Sequence, residues 1–519
     1  MIPDPIAQGL ARGWKVVDAR AAGTARDYTA DVAIIGTGAG GGTAAEILAD
    51  AGLRVIMIEE GPLRSSRDFH MLEREAYPQL YQESAGRRTK DKGIVILQGR
   101  AVGGSTTVNW TSSFRTPRLT LDYWYERYGL RDYTPEKLAP FFERMEQRLS
   151  IHPWNEAPNP NNAALARGAK RLGIDTAVIP RNVKGCYNLG YCGMGCPTNA
   201  KQSMLVTTIP RALDRGATLI VQSRAQRLHF DGAHVTMLEC APSIRVHART
   251  FVVAGGAINS PALLLRSGAP DPYGTLGKRT FLHPVVISAA IMPEFIAAYA
   301  GAPQSIYSDH FLYTQPLDGP IGYKLEVPPV HPVLLATTTP GFGTTHAQLL
   351  AEMPHLHVII ALMRDGFHPD SPGGTVGLRS DGSPLLDYPI TPYVWDGARR
   401  ALRTMAQIQF AAGARMVLPV HEDARPVASF AQAERMIDEL PMEILRANIV
   451  SAHVMGGCGM GADPRTSVVN GAGLHHQLDN VYVFDGSAFP TSIGANPQLS
   501  IYGMVARNAA GLAATLAKR

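Results

Sequence analysis

A glycine-rich turn joins a short β-branched run to an amphipathic segment near the start of the chain. Residues 31–35 (DVAII) have the composition of a buried parallel strand. Apolar residues at positions 44, 47, 48 and 51 then repeat at helical spacing, and residues 54–58 (RVIMI) form a second apolar run. A strand, a helix and another strand in this order predict one βαβ unit.

The turn itself has the spacing of a dinucleotide-binding fingerprint. Gly36 permits a tight turn, Gly38 lets the backbone approach a pyrophosphate, and Gly41 lets the helix pack closely on the strand. The pyrophosphate is then expected at the helix N-terminus, where free N–H groups favour anions. Glu59 stands where an acid binds a ribose hydroxyl. These residues predict a bound dinucleotide, and the alternative is a purely structural glycine turn.

Composition narrows the class of protein. The chain has 519 residues, of which 45% are apolar and 18% charged, and such a chain buries a large core instead of remaining disordered. The net charge of +5 comes without a basic cluster, which argues against a nucleic-acid partner. Five cysteines are too few for a secreted disulfide scaffold.

No targeting or membrane-spanning segment is expected. Residues 1–28 lack the apolar stretch of a signal peptide. The most apolar segment, 284–303, is interrupted by Pro293 and Glu294 and fails as a spanning helix. That segment could form an entrance loop near a membrane surface or an inner strand of a substrate domain. We expect a cytoplasmic protein without a transmembrane segment, and peripheral membrane contact stays open.

Strand and helix patterns divide the chain into two interleaved parts. Patterns typical of α/β structure recur near the start, in the middle and at the end, whereas short alternating runs with Pro and Gly over 285–385 favour an antiparallel sheet. We predict an α/β fold with a Rossmann-like domain assembled from discontinuous segments and an inserted α+β substrate domain built on an antiparallel sheet. The nucleotide-binding domain is expected over residues 28–120, 200–284 and 450–519, and the substrate-binding domain over 121–199 and 285–449.

Three further motifs occur in a fixed order along the chain. They are GRAVGGSTTVN (99–109), GAINSPALLLRSG (256–268) and the segment 453–496, where a His and a glycine-rich turn precede a D-x-S-x-x-P strand end and an Asn-Pro pair. In this order they resemble the glucose-methanol-choline (GMC) family of flavin oxidoreductases over roughly residues 30–515. The motifs are most similar to those of long-chain alcohol oxidases and dehydrogenases and of cholesterol oxidase-like members. After the second motif the chain departs from the family, because Ala269-Pro270 stands where an aliphatic residue and a glycine are usual.

The resemblance implies a catalytic pair. In the family the substrate hydroxyl lies against flavin N5, between a His and a second His or Asn, and the matching positions are His453 and Asn496. A neutral imidazole can take the hydroxyl proton at physiological pH, and the alkoxide can then expel its hydrogen as hydride to the flavin. Asn496 can donate an amide N–H to the developing alkoxide. The alternative for His453 is a packed structural residue.

The same resemblance implies that the dinucleotide is FAD and which residues surround it. Asp485 is expected to reach the ribityl or pyrophosphate region, unless it only caps its strand. No His occurs within residues 99–118, so the FAD is expected to be non-covalent. The positions that match the family's cofactor contacts are Gly103, Gly104, Ser105, Asn109, Asp485 and Pro497.

A loop with three cysteines has several interpretations. Cys186, Cys192 and Cys196 lie in a glycine-rich turn, and a similar triplet carries an iron–sulfur cluster in some sugar dehydrogenases of the family. Thiolates are the usual ligands of such clusters. A disulfide, inert thiols, and a zinc site with no evident fourth ligand are the alternatives.

Together these features predict FAD-dependent oxidation of an alcohol to an aldehyde or ketone. A lipophilic, long-chain or steroid-like alcohol is expected, and O2 or an electron carrier is the expected acceptor. The alternatives are an NAD(P)-dependent dehydrogenase, a sugar or polyol dehydrogenase of the same family with an iron–sulfur cluster, and a non-catalytic flavin-binding subunit.

Overall fold

The computed structural model describes residues 2–21, 26–314 and 316–518. Among these residues, eight strands, numbered along the chain, form the first sheet: β1 (Lys15–Asp18), β2 (Arg26–Ile35), β3 (Val55–Ile58), β8 (Thr218–Val221), β9 (Arg224–Asp231), β10 (His234–Ala241), β11 (Ile244–Val253) and β22 (Val481–Val483). Their order is β1-β8-β3-β2-β11-β10-β9, with β22 beside β11. Neighbours from β1 to β11, and β22, run parallel, whereas β10 and β9 form an antiparallel extension.

The predicted βαβ unit lies at the centre of this sheet. It consists of β2, helix α2 (Ala39–Asp50) and β3, and side chains of all three are buried in one core. A Cβ on Gly41 would lie 1.9 Å from the carbonyl oxygen of Gly36. Only glycine therefore lets the helix begin this close to the strand.

A second sheet within the described chain is mostly antiparallel. Its eight strands are β4 (Ile94–Ile96), β6 (Ala177–Val178), β13 (Val285–Ile291), β14 (Ile306–Ser308), β15 (Tyr323–Glu326), β16 (Leu356–Met363), β19 (Met416–Pro419) and β20 (Ile449–Ser451). The order is β4-β20-β13-β16-β15-β14-β6, with β19 also beside β13. Three strand pairs stand apart from both sheets: β5 (Ile151–Pro153) with β7 (Pro180–Asn182), β12 (Thr280–Phe281) with β21 (Met455–Gly456), and β17 (Thr375–Leu378) with β18 (Pro384–Asp387).

Helices cover both sheets. The further helices of the described chain are α1 (Pro5–Ala11), α3 (Glu73–Leu80), α4 (Ser105–Val108), α5 (Arg118–Tyr128), α6 (Pro135–Arg148), α7 (Pro160–Arg171), α8 (Thr208–Asp214), α9 (Asn259–Ser267), α10 (Pro332–Thr338), α11 (Gly343–Ala351), α12 (Pro392–Ala411), α13 (Phe430–Glu439) and α14 (Gln498–Ala517). On the first sheet, α2 packs against α8 and α14. On the second, α12 packs against β13 and β16.

The predicted fold class is confirmed, and several details are new. The apolar segment that follows Pro284 is the inner strand β13, so the entrance-loop interpretation is wrong. Strand β1, which precedes the predicted βαβ unit, pairs with β8 and extends the first sheet. Met1 and residues 22–25 lie outside the described residues. The domain boundaries stay a prediction. The short strands β4 and β20, which fall almost entirely in the ranges expected for the nucleotide-binding domain, pair with each other in the second sheet. No helix of the described residues is both long and apolar enough to cross a membrane.

Candidate active site

A cavity of about 1090 Å³ is lined by residues of both sheets. Of the predicted catalytic and cofactor-binding residues, Gly41 and Gly103 do not contribute to its wall; Gly103 instead donates its N–H to Thr37 Oγ1 at 3.1 Å. The others do line it: Gly36, Gly38, Glu59, Gly104, Ser105, Asn109, His453, Asp485, Asn496 and Pro497.

One end of the cavity has a wall of bare backbone. A Cβ on Gly104, whose φ is +53°, would lie 2.7 Å from the Cα of Gly38. The two glycine-rich segments therefore pack directly against each other at the N-terminus of α2, with no side chain between them. Bare backbone at a helix N-terminus on the cavity wall fits a pyrophosphate that the backbone must approach closely.

Glu59 lies at this end, fully buried at the tip of β3. Its Oε2 accepts hydrogen bonds from the N–H (3.2 Å) and hydroxyl (2.6 Å) of Thr37, and its Oε1 accepts one from the N–H of Gly61 (2.9 Å). Burial raises the pKa of Glu59 to about 7. A contact with a ribose hydroxyl remains a prediction for this residue.

Asp485 is held by four hydrogen bonds from the chain itself. Its Oδ1 accepts from the N–H and hydroxyl of Ser487 at 2.8 and 2.5 Å. Its Oδ2 accepts from the Gly256 N–H and the Ser260 hydroxyl at 2.8 and 2.5 Å. Asp485 thus ties the end of β22 to the turn before α9, which agrees with a strand-end cap, and a further contact with the cofactor stays a prediction.

The two predicted catalytic side chains are adjacent. Nε2 of His453 lies 3.5 Å from Nδ2 of Asn496. Burial, followed by the positive charge of Lys324, lowers the pKa of His453 to about 4, so its imidazole is neutral at physiological pH. The pair combines a neutral imidazole and an amide at the cavity wall.

A buried carboxylate lies behind this pair. Oε2 of Glu326 accepts hydrogen bonds from Nδ2 of Asn496 at 3.2 Å and from Nε2 of Gln304 at 2.6 Å. Glu326 Oε1 and Asn496 Oδ1 are buried without a partner among the described residues. Burial raises the pKa of Glu326 to about 7, although the charge of Lys324 acts in the opposite direction. A carboxyl group with this pKa exchanges protons readily near neutral pH.

A second histidine lies on the other side of His453. Nδ1 of His283 is 3.4 Å from Nδ1 of His453, and the two rings are nearly perpendicular, at 76°. His283 is 2% exposed, and its Nε2 accepts a hydrogen bond from the N–H of Gly494 at 3.1 Å.

Sequence reasoning missed both Glu326 and His283. The one available signal for Glu326 was a Lys and a Glu within the otherwise apolar run of β15, all four residues of which are buried. For His283 the sequence offers no signal beyond its position directly before the apolar segment 284–303.

The other end of the cavity is apolar. Paired residues of β13 and β16 share one face, with Val285 opposite Leu362 and Ile287 opposite Ile360, and these four line the cavity. Helices α10 and α11 contribute further apolar side chains: Val333, Leu334, Leu335 and Leu349.

The cysteine loop gives no support to an iron–sulfur or zinc site. Among the residues described, no three His, Cys, Asp or Glu side chains come together where they could hold a metal ion. All three thiols are free, so the disulfide alternative is not formed either. Each sulfur faces a different partner: Cys186 faces the N–H of Asn188, Cys192 faces Arg181, and Cys196 faces Thr198.

Sequence comparison identifies the family. The sequence models of the N-terminal and C-terminal regions of GMC oxidoreductases match residues 77–285 and 369–505. The chain belongs to the GMC oxidoreductase family. An uncharacterized GMC-type oxidoreductase of Mycobacterium tuberculosis is 32% identical over 490 residues, which are 92% of this chain and 74% of that protein.

Two other GMC proteins extend the comparison. The long-chain-alcohol oxidase FAO1 of Arabidopsis thaliana is 26% identical, over 94% of this chain and 67% of its own length. The crystal structure of pyridoxine 4-oxidase from Mesorbium loti superposes with a TM-score of 0.71 at 19% identity, covering 92% of this chain and 98% of that one. The latter similarity concerns the fold.

Membership of the GMC family makes the chain an FAD-dependent oxidoreductase. The cavity fits this cofactor, because Gly36 and Gly38 bring backbone without side chains to its wall at the N-terminus of α2, where a diphosphate is favoured. The nicotinamide-dependent alternative is therefore not supported.

Proposed function

We propose that the chain oxidises a lipophilic alcohol to the corresponding aldehyde or ketone. The observation that carries this proposal is the position of the His453–Asn496 pair, 3.5 Å apart, in a cavity whose wall also includes the glycine-rich cofactor segments and the apolar strand face. One polar pair in an apolar site fixes the orientation of a single hydroxyl group.

FAD would be held without a covalent bond by the glycine-rich end of the cavity. Gly36 and Gly38 would lie against the diphosphate, and Ser105, Asn109 and Pro497 would lie along the flavin. When bound, FAD supplies a two-electron acceptor that takes up the carbon-bound hydrogen of the alcohol as hydride.

His453 and Asn496 would bind the substrate oxygen from two sides. Asn496 has two amide hydrogens, and Glu326 accepts only one of them. The same amide nitrogen lies 3.5 Å from Nε2 of His453, and a substrate oxygen bound at both side chains would take the second amide hydrogen, where negative charge develops as the hydroxyl proton leaves. Donors that are already in position stabilise such charge without reorganisation.

Glu326 would receive the hydroxyl proton through a bridging water, because it lies behind Asn496 and is not among the residues that line the cavity. Its unpartnered Oε1 is buried beside Asn496, and its pKa of about 7 leaves a substantial fraction ionised at neutral pH. The sequence motif assigned this role to His453. Because the pKa of His453 is about 4, the two assignments predict different pH dependences.

An apolar substrate is supported by the strand face formed by β13 and β16. Sugar and polyol substrates would place hydroxyl groups against these side chains without hydrogen-bond partners, which costs binding energy. The long-chain-alcohol oxidase of Arabidopsis is similar over most of this chain. The electrons would then pass to O2 or to an electron carrier, and peripheral contact with a lipid surface would supply the substrate.

A series of linear primary alcohols of increasing length tests the proposal. We expect the carbonyl product to be detected by mass spectrometry after derivatisation, with kcat/KM rising with chain length until the apolar end is filled. Sugars and polyols serve as controls. Preferential oxidation of the polar controls would contradict the proposal.

A further inference from the structure

A main-chain donor fixes which nitrogen of His283 carries the proton. The N–H of Gly494 lies 3.1 Å from Nε2 of His283, and a backbone N–H can only donate. Nε2 of His283 must therefore be the acceptor. A neutral imidazole has one N–H, so the proton of His283 lies on Nδ1.

That proton faces His453. Nδ1 of His283 and Nδ1 of His453 are 3.4 Å apart, and two nitrogens that share one hydrogen bond cannot both be donors. Nδ1 of His453 is consequently the acceptor, and the proton of neutral His453 lies on Nε2. Nε2 of His453 lies 3.5 Å from the amide nitrogen of Asn496. That nitrogen can also only donate, so the two N–H groups do not bond to each other, and both are left for a third acceptor.

We propose that His283 is a positioning residue that holds His453 in its Nε2–H tautomer, so that His453 and Asn496 present two hydrogen-bond donors to the substrate oxygen. The inference rests on the proposed function for its catalytic meaning. It makes His453 the donor that stabilises the alkoxide, and it leaves the hydroxyl proton to Glu326.

The backbone around His283 is built to hold this geometry. His283 has a φ of +44°, a conformation that is costly for a residue with a side chain and persists only where the surroundings impose it. Asp365 imposes it here, because its carboxylate accepts from the N–H groups of Leu282 (2.9 Å) and His283 (3.1 Å). The hydroxyl of Tyr388 donates to the same carboxylate at 2.7 Å.

Burial lowers the pKa of both rings, and nearby positive charge adds to this effect. Lys324 acts on both histidines, and Arg364 acts on His283. A protonated His453 would also direct an Nδ1–H against the Nδ1–H of His283. Removing the His283 donor should therefore free His453 to change its tautomer.

Two substitutions of His283 distinguish the effect of its hydrogen bond to His453 from the effect of its packing. Asn places an amide nitrogen close to the position of Nδ1 and can still donate to His453. Leu fills similar space with no donor. The FAD content of each purified variant shows whether it has folded, and the Asn variant keeps the test informative if the Leu variant has not.

The tautomer is measured by ¹⁵N nuclear magnetic resonance on histidine-labelled holoenzyme, with the His453 signals identified by their loss in His453→Gln. We expect a protonated Nε2 and an unprotonated Nδ1 in the parent enzyme and in His283→Asn, and loss of that preference in His283→Leu. The same tautomer in His283→Leu, or loss of the preference in His283→Asn, would overturn the inference.

The rate of flavin reduction measures the consequence of the tautomer for catalysis. His283→Leu should slow flavin reduction by about tenfold or more, whereas His283→Asn should keep the parent rate. A parent rate of flavin reduction in a folded Leu variant would also overturn the inference. The resonance experiment needs no alcohol, so it remains decisive even if no alcohol reduces the flavin, an outcome that would contradict only the proposed function.

Discussion

The Nδ1 atoms of His283 and His453 lie 3.4 Å apart, although 170 residues separate them in the chain. His283 precedes the inner strand β13 of the second sheet, and His453 follows β20, which pairs with β13. The second sheet therefore positions both histidines, while the segment just before α14 supplies Asn496 and Gly494. The polar centre of the cavity is assembled where these segments meet.

Replacement of Glu326 by Gln tests the proton acceptor. Gln keeps the size of the side chain and can still accept from Asn496, but it cannot take up a proton. We expect flavin reduction to slow by about 10²-fold or more. In the parent enzyme the ionised carboxylate, which is the accepting form, predominates above its pKa of about 7. The rate should therefore fall as the pH drops through this value, and this inflection should disappear in Glu326→Gln.

Anaerobic stopped-flow measurement of flavin reduction across the neutral pH range reads out both effects. Glu422→Gln is the matched control, because Glu422 lines the same cavity and has no part in the proposed chemistry. A parent profile with its only inflection near 4, unchanged in Glu326→Gln, would instead favour His453 as the proton acceptor.

Substitution of Ile360 by Trp tests the apolar substrate site. Ile360 lies on the cavity face of β16, where an indole would occupy the space expected for the alkyl chain. We expect KM for long-chain alcohols to rise about tenfold, while short alcohols are oxidised nearly as before. Ile359→Val is the control, because Ile359 is fully buried on the opposite face; it should cost about 0.5–1.5 kcal/mol of stability and leave the chain-length preference unchanged. Equal effects of Ile360→Trp on short and long alcohols would place the alkyl chain elsewhere.

Much of the fold could be predicted from the sequence, because its signals are local. The βαβ unit is specified by glycines, apolar spacing and an acid within thirty residues of one another, and it occurs where expected, as β2, α2 and β3. The motifs around His453 and Asn496 likewise identified two residues that do lie side by side.

The remaining polar network could not be predicted in this way. Glu326 is 170 residues from Asn496, so its contact depends on how the second sheet pairs. Asp485 differs from Glu326, because its motif could be identified in the sequence. Its hydrogen bonds with Gly256 and Ser260, in the turn that begins α9, could not be predicted, since these residues are far from it in the chain.

Replacement of Gly41 by Ala tests the cofactor end of the cavity. The added Cβ would meet the Gly36 carbonyl oxygen at 1.9 Å, so α2 must move away from β2. We expect a loss of about 1–3 kcal/mol or more in the free energy of unfolding together with reduced FAD occupancy, measured by thermal denaturation and by the ratio of flavin to protein absorbance. Gly377→Ala, where a Cβ would have no neighbour within 4 Å, should change neither. Full occupancy in Gly41→Ala would contradict the assigned role of this turn.

Elemental analysis tests the cysteine loop. Because the three thiols face separate partners, we expect no stoichiometric iron or zinc in protein purified without oxygen. Cys192→Ser should leave the visible spectrum unchanged. Iron in stoichiometric amount that is lost in Cys192→Ser would restore the cluster as an explanation of the motif.

The most direct test of the account is the anaerobic addition of a long-chain primary alcohol to the purified holoenzyme. The account predicts that the oxidised-flavin absorbance disappears with a stoichiometry of one alcohol per flavin and that one equivalent of aldehyde is formed. A flavin that remains oxidised with every lipophilic alcohol, in enzyme with full FAD occupancy, would contradict it.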